Sequence, residues 1–174
     1  NQKDAIEWYE RSLEIRERLL RENEATNTRR RDVNNVHRYI ATNRVGLGEI
    51  EEAMTLYAQD IVPMARELLV DSPTDTRARD DLARVLVELG ILQSRAGSYE
   101  DAITSLEEAR LGWSQSHDDD DQSRDQVGIY ELIRIDLVMS YSYLMLDEID
   151  AANTINRRAA DLISTYESRW TDSG

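Results

Sequence analysis

Ala96-Gly97-Ser98-Tyr99-Glu100-Asp101-Ala102-Ile103 returns three more times in altered form. The related phrases are Lys3-Asp4-Ala5-Ile6, Gly48-Glu49-Ile50-Glu51-Glu52-Ala53-Met54 and Asp147-Glu148-Ile149-Asp150-Ala151-Ala152. Their alanines, Ala5, Ala53, Ala102 and Ala152, are 48, 49 and 50 residues apart. Self-similarity at such a period marks a stack of one supersecondary unit. Twelve residues before the last three alanines stand Ala41, Gly90 and Ser140, each after an apolar residue, Ile40, Leu89 or Met139. Two helices can approach to roughly 8 Å only where neither carries a bulky side chain at the crossing, so small is expected to face small. Between the members of each pair lies a turn. Gly48 and Gly97 occupy it five residues before the alanine, as the left-handed end of a helix prefers, and Asp147 replaces them in the last copy. Ile50, Tyr99 and Ile149 before the alanine, and Tyr9, Tyr57 and Leu106 after it, recur at helical spacing on an inner face. Asn156 breaks that pattern in the last copy.

The expected fold is all-α, about seven helices over 3–22, 29–46, 50–70, 74–96, 100–115, 124–145 and 148–170. Residues 1–174 read as one repeat domain: a second helix at 3–22, then pairs at 29–70, 74–115 and 124–170. Because it opens inside a repeat, the chain is expected to be a segment of a longer protein. Ser72-Pro73-Thr74-Asp75 predicts a helix start with Ser72 as cap, while Pro63 lies inside a helix and predicts a kink.

Leu89-Gly90, Ala96-Gly97-Ser98-Tyr99, Ala102, Leu106 and Ala109 together resemble the tetratricopeptide repeat family. The period near 49 exceeds that family's usual length of about 34 residues. It resembles the extended-repeat, kinesin light chain-like variant, as does the run Ser12-Leu13-Glu14-Ile15-Arg16-Glu17-Arg18-Leu19-Leu20. Where the family often carries large aromatics in the first helix, this chain has His37, Leu86 and Asp136, then Arg44, Gln93 and Tyr143. The resemblance implies a right-handed superhelix of antiparallel helix pairs whose concave groove holds a peptide or a partner helix.

The formal charge of −14 is uneven: residues 1–49 carry 10 basic and 9 acidic groups, the remainder 11 and 26. Such a surface repels nucleic acid. No apolar run of about 20 residues and no signal-peptide pattern is present, so no membrane partner is expected and the expected location is the cytoplasm. With no cysteine there is no disulfide, thiolate ligand or cysteine nucleophile. Ser116-His117-Asp118 is contiguous, whereas a catalytic triad needs its three groups converging. Asp118-Asp119-Asp120-Asp121 lacks the glycine and later bidentate acid of a calcium loop, and Gly46-Leu47-Gly48 follows no strand. His37 reads as a core histidine. No catalytic residue, cofactor or metal is expected, and the chain is not expected to be an enzyme.

Eighteen, fifteen, eleven and eight residues before each alanine lies one helical face. The resemblance places it on the groove: Asn35, Arg38, Thr42 and Val45, then Arg84, Val87, Ile91 and Ser94 with Arg95 beside them, then Arg134, Leu137, Tyr141 and Leu144. Arginines around an apolar strip suit a protein or peptide with acidic and apolar residues. The alternative is that these arginines pair with acids of neighbouring repeats. Val87 and Ile91 stand where chaperone-tail binders of the family use polar clamp residues, which argues against that role. The expected function is a protein-binding scaffold. The alternatives are a regulatory arm of a larger signalling enzyme, a kinase or protease, and a self-association module. The helix at 3–22 lacks a mate, leaving Leu13, Ile15, Leu19 and Leu20 partly uncovered, so a homodimer through the repeat ends is a further expectation. The apolar groups spread around 129–146 call for cover on several sides, with the helix at 148–170 as a polar cap and Trp170 partly exposed.

Overall fold

A computed structural model describes residues 1–23, 25–116 and 125–171. His117 and the aspartates 118–121 lie outside the described residues, as does the side chain of Trp170. The elements are α1 (Gln2–Glu22), α2 (Asn27–Leu47), α3 (Ile50–Leu56), a π-helical segment (Tyr57–Ile61), α4 (Val62–Asp71), α5 (Thr76–Ala96), α6 (Tyr99–Ser116), α7 (Asp125–Met145) and α8 (Ile149–Thr171). α3, the π segment and α4 run on as one rod, so the described residues form seven helices and no strand. None of these helices is long and apolar enough to cross a membrane.

The repeat is written in the turns. At the end of α2, the Gly48 N–H donates to the Val45 carbonyl at 3.0 Å and the Glu49 N–H to the Arg44 carbonyl at 3.0 Å. Gly97 and Ser98 repeat both bonds on Ser94 and Gln93, and Asp147 and Glu148 repeat them on Leu144 and Tyr143. This pairing satisfies the last carbonyls of a helix and demands a left-handed residue. The φ angles are 84° at Gly48, 86° at Gly97 and 61° at Asp147, so the aspartate takes the same conformation against its own preference. In each copy the residue after the turn begins the next helix by accepting from the repeat alanine: Glu49 from Ala53, Ser98 from Ala102 and Glu148 from Ala152. Asn1 does the same for Ala5. All three turn alanines, Ala53, Ala102 and Ala152, are fully buried.

One expectation at a helix end is corrected. α5 starts at Thr76 and its cap is Asp75, whose Oδ1 accepts from the Arg77 N–H at 3.0 Å. Ser72 instead opens a turn, accepting from the Asp75 N–H, and its hydroxyl accepts from the Asn27 side chain. Proline fixes the turn geometry at Pro73, and the next acid is the one placed to cap. Pro63 acts through the residues before it. A proline ring collides with the carbonyl four residues earlier and offers it no N–H. The chain answers by widening: the Val62 N–H donates five residues back, to Tyr57. The helix is thus re-formed as a π segment and continues as α4 with Pro63 in its first turn.

The chain divides into two compact units, Asn1–Val85 and Leu86–Gly174. In the first, α1 packs on α2, and α2 on the rod of α3, the π segment and α4. Ile6, Val36 and Ile40 form a buried cluster with Tyr9, Leu13, Leu47 and Leu56 around it. Val33, Ile61, Ala65 and Leu68 are also buried. His37 is a buried histidine, as expected, its Nε2 3.9 Å from Glu17. On α1, Ile15 and Leu19 are exposed and Leu13 and Leu20 half-buried. Arg31 on α2 reaches Asp75 at 2.6 Å and Asp81 at 3.0 Å, tying α2 to the head of α5.

In the second unit α6 packs on α7 and α7 on α8. The small-residue crossings are direct there. The Ser140 hydroxyl donates to the Ala152 carbonyl at 3.3 Å, and a Cβ on Gly90 would lie 2.6 Å from Leu106 Cγ and 3.2 Å from the Ala102 carbonyl. Leu106, Ala109, Trp113, Ile135 and Met139 fill the interior. Ile149, expected on an inner face, is exposed instead, because it lines an open hollow at the turn with Asp147, Glu148, Asp150 and Ala151. Asp136 has no accessible surface. It accepts from Arg110 Nε at 3.2 Å and from Arg158 Nε at 2.8 Å and Nη2 at 2.6 Å, joining α6, α7 and α8.

Candidate functional site

α7 is apolar on nearly every side, and its neighbours cover only part of it. Ile129, Ile135, Asp136, Met139, Ser140 and Ser142 are buried. Val127, Tyr130, Leu137, Tyr141 and Leu144 are not: each is between 50% and 65% exposed. With Arg134 they advance along the helix in steps of three, four, three, four and three, which places them on one face. The stripe is about 25 Å long at the α-helical rise. Its single charged member, Arg134, is bonded to Glu131 on its own helix at 3.3 Å. Met145, also exposed, extends the stripe toward the turn at Asp147.

The flanks of this face are held in place. Tyr141 meets Tyr99, at the start of α6, edge-on with ring centroids 6.3 Å apart. Burial, then the neighbouring Tyr141, raises the Tyr99 hydroxyl above its usual range. On another side of α7, burial and the acids Glu107 and Glu148 raise Tyr143, against an opposing effect from Arg158. Ser142 donates to the Val138 carbonyl at 3.0 Å and lies 3.1 Å from the Ser94 hydroxyl, so α5 and α7 meet through small polar groups. Both tyrosines therefore stay neutral at ordinary pH, and the stripe gains no charge from them.

Of the residues expected on a groove, Arg134, Leu137, Tyr141 and Leu144 share the exposed face of α7. Val87 does not contribute surface: it is wholly buried, because α5 is enclosed on more than one side and Val85, Leu86 and Val87 are consecutively buried. Ser94 is buried too, Ile91 half-buried and Arg95 exposed. In the first unit Asn35 and Thr42 are exposed, and Arg38, Val45 and Arg84 are half-buried. Asn35 and Arg38 border a cavity of about 30 Å³ with Arg31, Asn34, Arg77 and Asp81, room for roughly one water. Val127 and Tyr130 were not among the groove residues read from the sequence. Continuing the three-and-four step upstream from Arg134 reaches both. Among the described residues no three His, Cys, Asp or Glu side chains gather as a metal site.

No family model matches the chain, and no curated protein matches it. Among solved structures it is similar to the crystal structure of BtubC (BKLC) from P. vanneervenii, at 14% identity over 96% of this chain and 92% of that chain, with a TM-score of 0.32. A likeness this distant says nothing of the site.

Proposed function

We propose that this chain is a tetratricopeptide-like repeat protein of the extended-repeat type that works by holding another protein, without chemistry of its own, in the cytoplasm. The observation that carries the reading is the exposed stripe on α7. Five large apolar side chains in heptad-like order are exposed in a chain in which 32% of residues are charged. Contiguous apolar surface of this kind marks interaction sites. Its spacing is that of a helix prepared to receive another helix, knob into hole. The repeated turns and small-residue crossings support the family reading. A second reading, self-association, is favoured by Trp8, Ile15 and Leu19, all exposed on α1.

A photo-crosslinker at position 137, compared with one at Ala160 on α8, tests the docking face. A bound protein should crosslink from 137, and the variant Leu137→Ser with Tyr141→Ser should lose it while keeping its helical circular dichroism. Crosslinks of equal yield from both positions, insensitive to the double substitution, would place binding elsewhere.

A further inference from the structure

The stripe on α7 ends at an acidic turn, and this identifies the chemistry of what it takes. After Leu144 and Met145 the chain passes into Asp147, Glu148, Ile149 and Asp150, all exposed and all lining one open hollow. The last carbonyls of α7 point toward the same end, the negative pole of the helix. Residues 86–174 carry 18 acidic against 7 basic side chains, a formal −11. Two of those seven, Arg110 and Arg158, are committed to Asp136, and Arg134 to Glu131. An apolar surface set in so negative a unit disfavours two occupants. A second copy brings the same charge against it, and an acidic peptide finds the stripe's one arginine already paired.

We infer that the α7 stripe receives a cationic amphipathic helix: apolar residues in steps of three and four along one face, with lysine or arginine on its flanks and concentrated at the end that meets Asp147–Asp150. The inference rests on the reading of α7 as a docking face. A helix of about 18 residues matches the length of the stripe. Its apolar side chains interdigitate with Val127, Tyr130, Leu137, Tyr141 and Leu144, and its cationic end lies over the turn. The apolar contact supplies affinity, and the charge selects the partner and its direction.

Three fluorescein-labelled probe peptides of about 20 residues separate the two claims. The first carries a leucine stripe with lysine flanks, the second the same stripe with glutamate flanks, and the third keeps the lysines with the leucines scrambled. Fluorescence anisotropy against the full chain should show the first binding at least about ten-fold tighter than either of the others. Leu137→Ser with Tyr141→Ser should weaken it by about ten-fold or more, and Glu148→Gln with Asp150→Asn by a smaller factor that vanishes in high salt. If the glutamate peptide binds as well as the lysine peptide and both need Leu137 and Tyr141, the cationic assignment falls and the docking face stands. If the scrambled peptide binds equally, if the serine variant binds as well as the parent, or if no peptide binds, the docking face itself is overturned. A dimer seen by light scattering that is abolished by the serine substitutions would name a second copy as the occupant and overturn the cationic one.

Discussion

Each of the two compact units contains a three-membered ionic cluster, and the two are inverted. In residues 1–85, one arginine, Arg31, lies between two acids, Asp75 and Asp81, and all three side chains keep some contact with solvent. In residues 86–174, one acid, Asp136, lies between two arginines and has no accessible surface at all. The first cluster is an accessory to a turn, the second a core element. Asp136 holds the repeat position that carries His37 and Leu86 in the earlier copies. The same slot therefore takes a buried imidazole, an aliphatic group or a carboxylate according to what the neighbouring helices present. Burial of the shared member decides the stakes: either acid around Arg31 can be removed while the other remains, whereas removing the wholly buried Asp136 takes the common acceptor from two arginines at once.

The sharpest way to break this contrast is to neutralise each cluster in turn. Asp136→Asn keeps the shape, removes the buried charge and leaves two arginines that still touch solvent, so it should cost about 2–3 kcal/mol in urea unfolding, the scale of losing charge-assisted hydrogen bonds. Asp81→Asn should cost about 1 kcal/mol or less. Equal losses at the two positions would mean that water reaches Asp136.

The helical glycines of the two units differ in what a side chain would meet. A Cβ at Gly90 collides with Leu106 Cγ at 2.6 Å and Cδ2 at 2.9 Å, and crowds the Ala102 carbonyl at 3.2 Å. At Gly46 it meets only the end of the exposed Gln2 side chain, which can swing aside. Gly90→Leu is accordingly expected to cost about 1–3 kcal/mol or more. Gly46→Ala should be neutral or gain up to about 1 kcal/mol from helix propensity. An unchanged melting temperature in Gly90→Leu would contradict the crossing of α5 and α6 at this point.

These glycines show what could be read in advance and what could not. Gly48, Gly97 and the alanine column announce themselves because each requirement is local: a left-handed turn favours a glycine, and a close crossing needs a small residue. The seven helices and their approximate limits follow from that column. Asp136 was legible only as the charged residue at a repeat position that carries His37 and Leu86 in the other copies. Its partners lie 26 residues before and 22 after on other helices, and no spacing within one helix reveals them. The π segment was equally hidden, since Pro63 announces a disturbance and the surrounding packing chooses its form. On the candidate site, periodicity grouped Leu137, Tyr141 and Leu144, and all three are exposed on α7. It also put Val87 on that kind of face, because periodicity assigns direction and the neighbouring helices determine exposure.

The three turns permit a smaller and cleaner test within one unit. Gly97 and Asp147 make the same pair of hydrogen bonds at φ values of 86° and 61°. A left-handed residue with a Cβ is disfavoured by roughly 1–2 kcal/mol, somewhat less for aspartate. Asp147→Gly should stabilise the chain by up to about 1 kcal/mol, and Gly97→Asp should lose a comparable amount. A loss on Asp147→Gly would show that the aspartate carboxylate contributes something the backbone geometry does not.

The smallest effect is expected at the half-buried cluster of Arg31, where pH can read it. The hydrogen bond from Arg31 holds the Asp75 carboxyl below its usual range, with burial opposing and the arginine's charge adding to it. A carboxylate with a depressed folded-state pKa contributes stability that is complete above its ordinary value near 4 and is lost as pH falls through the depressed value. Asn caps a helix about as well as Asp, so Asp75→Asn removes the charge and keeps the cap at the start of α5. The substituted chain should be less stable than the parent near pH 7 by under about 1 kcal/mol. The two stabilities should converge as pH falls from about 4 toward about 2, because the parent then carries a neutral carboxyl at the same place. A gap that stays constant down to that pH would show that Asp75 acts through its geometry as a cap, with the ion pair to Arg31 adding nothing. A gap near pH 7 as large as that at Asp136 would remove the distinction between the half-buried and the fully buried cluster.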